Sequence, residues 1–263
     1  MAGTVRTLRL GGVSARVEPP SRARGRGYAP GVASPRPGTR AHVREIARRL
    51  EEAHGPRPFR RRHDPVSELV TTLLSHSTTD ANQVRAFRSL RERFPTWEAV
   101  REAPVEEVEA AVRVAGLASQ KAPRIQEALR RVAGHPRGPG LEWLGEVPPE
   151  EAMAFLTSLP GVGPKTAACV MCFCFDAHVV PADTHVHRIA LRTRVVPPGA
   201  SAERAQARLS RWVPEGAAYG THMRMIHHGR TVCRARGPRC GACVLLDLCP
   251  TGKGLGGGAA PAG

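Results

Sequence analysis

The sequence predicts an all-α protein, on three observations. Apolar residues recur at helical spacing from Ala41 to the cysteine-rich end, no segment alternates apolar and polar residues as a strand would, and no internal repeat is present. In order, Ala41 to Ala53 (AHVREIARRLEEA) reads as an amphipathic helix, followed by a Pro-, Arg- and Gly-rich loop to Pro65. Val66 to Ser77 is strongly apolar, with Leu69, Val70, Leu73 and Leu74 at helical spacing. Thr79-Asp80 offers a cap for a helix through Phe94. Turn signals open further helices at Thr96-Trp97-Glu98, at Pro104 to Glu107 and over Ser119 to Val132. Residues 134–149, with Gly138, Gly140 and four prolines, read as a linker. Helices resume at Pro149-Glu150 and run to the cysteines, and the stretch after Pro250 reads as a disordered tail.

The formal charge is +16. Residues 1–40 hold eight arginines against Glu18, a net of +7, and read as a disordered basic arm, with an Arg-rich, acid-poor mitochondrial transit peptide as the alternative. Subtracting that arm and Lys253 leaves about +8 on residues 41–250, an excess that suits a polyanion partner. No run of eighteen apolar residues exists, so no membrane span is predicted. The first forty residues lack a continuous apolar stretch, so no secretory signal is predicted, and seven cysteines then point to metal ligands or buried thiols.

Leu159-Pro160-Gly161-Val162-Gly163-Pro164-Lys165-Thr166-Ala167-Ala168 joins two apolar helical segments. A Gly-Val-Gly turn lets backbone N–H groups approach a ligand closely, and Pro164 fits the first turn of the next helix. That helix points its positive end at the turn, which suits a phosphate; glycines serving only a tight αα-hairpin are the plainer reading. The full string resembles the helix-hairpin-helix of DNA glycosylases. The resemblance implies that Gly161, Val162 and Gly163 hold DNA backbone, with a monovalent cation as a possible companion.

Lys165 opens a helix, where the dipole disfavours its positive charge and favours the neutral amine that covalent chemistry with a sugar needs. A protonated, phosphate-binding lysine is the alternative. Asp183, in Ala182-Asp183-Thr184-His185-Val186-His187-Arg188, stands as the N-cap of another amphipathic helix. Cys233, Cys240, Cys243 and Cys249 follow C-x6-C-x2-C-x5-C and can wrap one metal centre, zinc or iron–sulfur. Cys169, Cys172 and Cys174 lie on the apolar helix after the hairpin and read as buried thiols.

Taken together, LPGVGPKTA, ADTHVHR and the cysteine spacing resemble the endonuclease III family of the HhH-GPD superfamily, over roughly residues 41–250. The resemblance implies two helical domains flanking a DNA-binding cleft. A six-helix barrel with the hairpin would span 67–182, and an iron–sulfur domain would join 41–66 to 183–250. It implies a [4Fe–4S] cluster on Cys233, Cys240, Cys243 and Cys249, serving to fix Arg234, Arg236 and Arg239 against phosphates. It further implies a bifunctional DNA glycosylase and abasic-site lyase acting on oxidised pyrimidines in duplex DNA. Lys165 would attack C1′ of an extruded nucleotide and Asp183 would assist its deprotonation.

In Gly116 to Lys121 the resemblance makes Leu117 a wedge into the vacated space, with Lys121 beside it on the DNA; ordinary helix-end packing is the alternative for Leu117. Ser77 stands where the family often has a longer Gln, with His76 next to it as a substitute filler. That departure leaves room for a homologue that only binds DNA, or cleaves only abasic sites. His222, His227 and His228 are expected near the cluster or facing phosphate. The partner expected is duplex DNA carrying damaged bases or abasic sites, bound by a monomer in a bacterial cytoplasm at the nucleoid, with no membrane.

Overall fold

The computed structural model describes residues 34–255, and the predictions for residues 1–33 and 256–263 lie outside them. Among the described residues every regular element is helical. Helix α1 (Arg40–His54) starts where the Thr39 hydroxyl accepts from the His42 N–H, and its Val43, Ile46, Ala47 and Leu50 stripe is buried. Helix α2 (Pro65–Ser75) is capped by Asp64, and α3 (Asp80–Arg93) and α4 (Trp97–Glu102) by Thr79 and Thr96. Then come α5 (Val105–Val112), α6 (Ala118–Ala133), α7 (Pro149–Ser158) and α8 (Pro164–Phe175). Last are α9 (Thr184–Arg192), α10 (Ala202–Trp212), α11 (Ala218–Thr231) and the short α12 (Pro250–Gly254).

Two hydrophobic cores form. One gathers residues from Val66 to Met171 around α2, which α3, α6 and α8 surround; that explains why Leu69, Val70, Leu73 and Leu74 make it apolar on several faces. The other joins Val43, Ile46 and Leu50 of α1 to residues from Val180 to Leu248. Helix α8 packs against α2 and α7 on one side and also meets α10 and α11, so its first turn stands where the two cores adjoin.

Two segments differ from the sequence reading. Residues 134–149 carry a short 3-10 turn, Glu142–Gly145, that buries Leu141, Trp143 and Leu144 in the first core, so this stretch is a packed element and not a free linker. The start of the tail folds as α12 because Gly252 lies against Leu246 and Cys249, where a Cβ would meet the Leu246 side chain at 3.1 Å.

Candidate active site

The hairpin between α7 and α8 turns at Gly161, whose φ of +75° favours glycine; an added Cβ would also meet the Arg124 side chain at 3.0 Å. At Gly163 an added Cβ would meet no protein atom within 4 Å, so that side of the turn is open to a ligand. No side chain caps α8, which leaves its first-turn N–H groups for that ligand. Val162 departs from its predicted part. Its side chain is buried in the first core and its N–H donates to Leu159, so only its carbonyl oxygen remains to be offered.

Lys165 follows Pro164 in the first turn of α8, half-buried. It forms no ion pair among the described residues, and its charge acts on the thiol of Cys169, one turn on. Burial pushes that thiol up to about 12, which keeps it protonated and silent as a rival nucleophile. The Lys165 charge also acts on Glu68 of α2, on His76 and on His222 of α11.

Asp183 caps α9: its Oδ1 accepts from His185 N at 2.9 Å and Val186 N at 2.8 Å, while Oδ2 makes no hydrogen bond among the described residues. The cap reading is therefore correct, and it leaves one carboxylate oxygen for chemistry. Its charge reaches His222 and Cys169, as that of Lys165 does, and no ion pair joins the two residues.

Three groups that the sequence did not single out for this place complete it. His222 is 2% exposed, bonds Pro181 O through Nδ1 at 2.9 Å, and is pushed down to about 4, chiefly by burial; it is a neutral imidazole beside Asp183, not a cluster or phosphate neighbour. Glu68 is buried and, among the described residues, accepts a side-chain hydrogen bond only from the Thr72 hydroxyl, at 3.3 Å, and burial raises its carboxyl above the usual range. Gln206 of α10 donates to Pro164 O at 3.2 Å and accepts from Ala182 N at 3.4 Å, so one amide ties the chain just before Lys165 to the chain just before Asp183. Their helical faces look like ordinary core-lining positions, so only the tertiary fold reveals them.

The two loops at the mouth are unequal. Leu117 is 50% exposed with φ +52°, a large apolar side chain in a conformation that costs a non-glycine residue energy. Ser77 is exposed and also has φ +52°. His76 turns inward and bonds Thr166 Oγ1 at 3.0 Å; burial first, then Lys165, Lys121 and Arg124, hold its imidazole below the ordinary range. Lys121 is corrected: it is 5% exposed and donates to Leu74 O at 2.8 Å and Ala115 O at 2.9 Å, so its ammonium is spent inside the protein and not on DNA.

The cysteine loop is clasped from α9, the helix that Asp183 caps. Arg188 donates to Cys233 O and Gly229 O at 2.9 Å each, and Arg192 reaches Cys233 Sγ at 3.3 Å and Arg234 O at 2.8 Å. His228 Nε2 lies 3.4 Å from Cys243 Sγ, and His54 bonds His228 in turn, while the His227 ring meets His54 edge-on. Cys233, Cys240, Cys243 and Cys249 line one cavity. Among the described residues no group of three or more His, Cys, Asp or Glu side chains is arranged to hold a metal ion. Four thiols are a donor set that either zinc or an iron–sulfur cluster takes. Arg234, Arg236 and Arg239 are exposed beside it. Cys169, Cys172 and Cys174 are buried free thiols, as the sequence predicts.

Residues 70–215 match the family described as HhH-GPD superfamily base excision DNA repair protein. Over 207 residues the chain is 35% identical to endonuclease III of Escherichia coli strain K12, covering 78% of this chain and 93% of that protein. The chain belongs to the endonuclease III family of the HhH-GPD superfamily. It is a base excision repair enzyme, a DNA glycosylase and abasic-site lyase of that family. A putative DNA glycosylase of Arabidopsis thaliana is 36% identical over 162 residues, 62% of this chain and 55% of that longer protein. A solved non-covalent endonuclease III–DNA complex superposes with a TM-score of 0.70 at 30% identity, covering 82% of this chain and 98% of that one. The all-helical architecture of this endonuclease III homologue therefore matches its family.

Proposed function

We propose that this endonuclease III homologue removes oxidised pyrimidines from duplex DNA through a Schiff base on Lys165 and nicks the strand by β-elimination. The observation that carries this reading is the Lys165 amine, free of ion pairs among the described residues at a helix start that the Gln206 amide ties to the helix capped by Asp183, whose Oδ2 is unbonded among them. A nucleotide must be extruded for C1′ to reach it. The Lys165 nitrogen bonds to C1′, the glycosidic bond breaks, and the base leaves with the electron pair and takes up a proton. Asp183, as a carboxylate, balances positive charge on the sugar as the base leaves, and its Oδ2 then takes the proton that the alkylated Lys165 nitrogen gives up. Ring opening leaves an iminium between C1′ and Lys165. Solvent water then takes a proton from C2′, the C2′–C3′ double bond forms, and the 3′ phosphate leaves with the electron pair of the C3′–O bond.

DNA backbone would lie across the open face of Gly163 and the first turn of α8, and Arg234, Arg236 and Arg239 would meet further phosphates. A [4Fe–4S] cluster on Cys233, Cys240, Cys243 and Cys249 would cross-link the loop that carries those arginines. A second reading, cleavage of abasic sites alone, draws on the short Ser77 and the inward His76. Single-turnover assays on duplexes carrying thymine glycol, an abasic site or no lesion decide between them. Release of free thymine glycol supports base removal, and nicking of the abasic duplex alone supports the second reading. An inert protein with its metal centre loaded contradicts both.

A further inference from the structure

The space that an extruded nucleotide leaves has to be filled, and the orphan base opposite has to be met by something. On the two loops that face that space, few side chains are free. His76 is tied to Thr166, Lys121 is buried on two carbonyls, and the Ser77 hydroxyl is short. Leu117 projects but has no polar atom. Gln120, in the first turn of α6, is exposed, makes no side-chain hydrogen bond among the described residues, and lines a small cavity with Leu117, His76 and Arg124. We propose that Gln120 is the specificity-determining residue that reads the orphan base, working beside Leu117 from the same helix end.

This inference rests on the glycosylase reading above. A carboxamide carries one acceptor and two donors, so it can bond the Watson–Crick edge of any of the four bases. The backbone that carries it is fixed, because Lys121 next to it pins both loops. One ammonium holds Leu74 O, just before the Ser75 to Ser77 loop, and Ala115 O, just before Gly116-Leu117. Gln120 N also donates to Leu117 O at 3.0 Å, which sets the amide one turn above the wedge.

The test is binding to duplexes that carry a non-cleavable tetrahydrofuran abasic analogue opposite A, C, G or T, by fluorescence anisotropy at fixed salt. Wild type should bind these more tightly than undamaged duplex, with a rank order among the four. Gln120→Ala should bind them about tenfold more weakly and flatten that order. Gln120→Glu carries two acceptors, which match the adjacent N1–H and N2–H donors of guanine, and should move orphan guanine up the order relative to cytosine. Gln120 is exposed, so unchanged melting temperatures are expected for both variants. The proposal is overturned if Gln120→Ala keeps the wild-type affinities, or weakens all four equally with the order kept. If wild type itself does not distinguish the analogue from intact duplex, the glycosylase reading fails first and takes this one with it.

Discussion

Lys165 and Asp183 open consecutive helices whose entry segments are tied by one side chain, the Gln206 amide, through Pro164 O and Ala182 N. Both residues act on the same buried imidazole, His222, yet no ion pair closes between them. The tie through backbone contacts fixes the two helix starts relative to each other without closing a pair between the side chains.

Asp183 has two jobs that substitution separates. Asparagine is as good a cap as aspartate, so Asp183→Asn should melt within about 0.5 kcal/mol of wild type. It should nevertheless lose base removal by roughly 100-fold or more, because an amide cannot take the lysine proton. Asp183→Ala should show the same chemical loss plus about 1 kcal/mol of destabilisation from the lost cap. Denaturant unfolding alongside single-turnover rates measures both.

Leu117 sits exposed at φ +52°. Glycine there relieves backbone strain of about 1–2 kcal/mol and removes the wedge. Leu117→Gly should therefore melt no lower than wild type while binding abasic duplex more weakly. A lower melting temperature would show that the side chain serves helix-end packing after all.

What the sequence revealed and what it hid follow a physical line. The hairpin, the Lys165 turn and the Asp183 cap are written in adjacent residues, because turn and cap chemistry is local. The thiols of Cys169, Cys172 and Cys174 were legible from helical periodicity alone. His222, Glu68 and Gln206 come from three other helices, and which face of each meets α8 is decided only by packing. Lys121 misled because a lysine is usually solvated; here two carbonyls at loop starts satisfy its ammonium. Glycines and prolines made 134–149 look like a linker, although Leu141, Trp143 and Leu144 give it a buried face.

Glu68 keeps a carboxyl in the first core with its titration raised by burial. A carboxyl whose folded-state value is raised contributes stability below its ordinary 4.5 and loses that contribution as pH climbs through the folded value. Ionised Glu68 therefore costs stability at neutral pH. Glu68→Gln should be more stable than wild type at pH 7 to 8, with the gain fading below about 4.5, as urea titrations across that range would show. A gain that grew toward acid pH would contradict the sign.

The cysteine cavity predicts the metal content. Protein purified without oxygen should contain iron and acid-labile sulfide in equal amounts and no stoichiometric zinc. Cys243→Ser should lose the iron–sulfur visible absorbance and weaken DNA binding, through the arginines the loop carries, more than it slows trapping at saturating DNA. Stoichiometric zinc in the wild type would contradict the cluster.

The most direct test of the central claim is borohydride trapping on duplex DNA carrying an abasic site or thymine glycol, with wild type and Lys165→Ala side by side. The account predicts a covalent protein–DNA adduct with wild type, mapping by peptide mass to Lys165, and none with Lys165→Ala although that variant still binds the duplex. An adduct that persists in Lys165→Ala, or a cluster-loaded wild type that forms none, would contradict it.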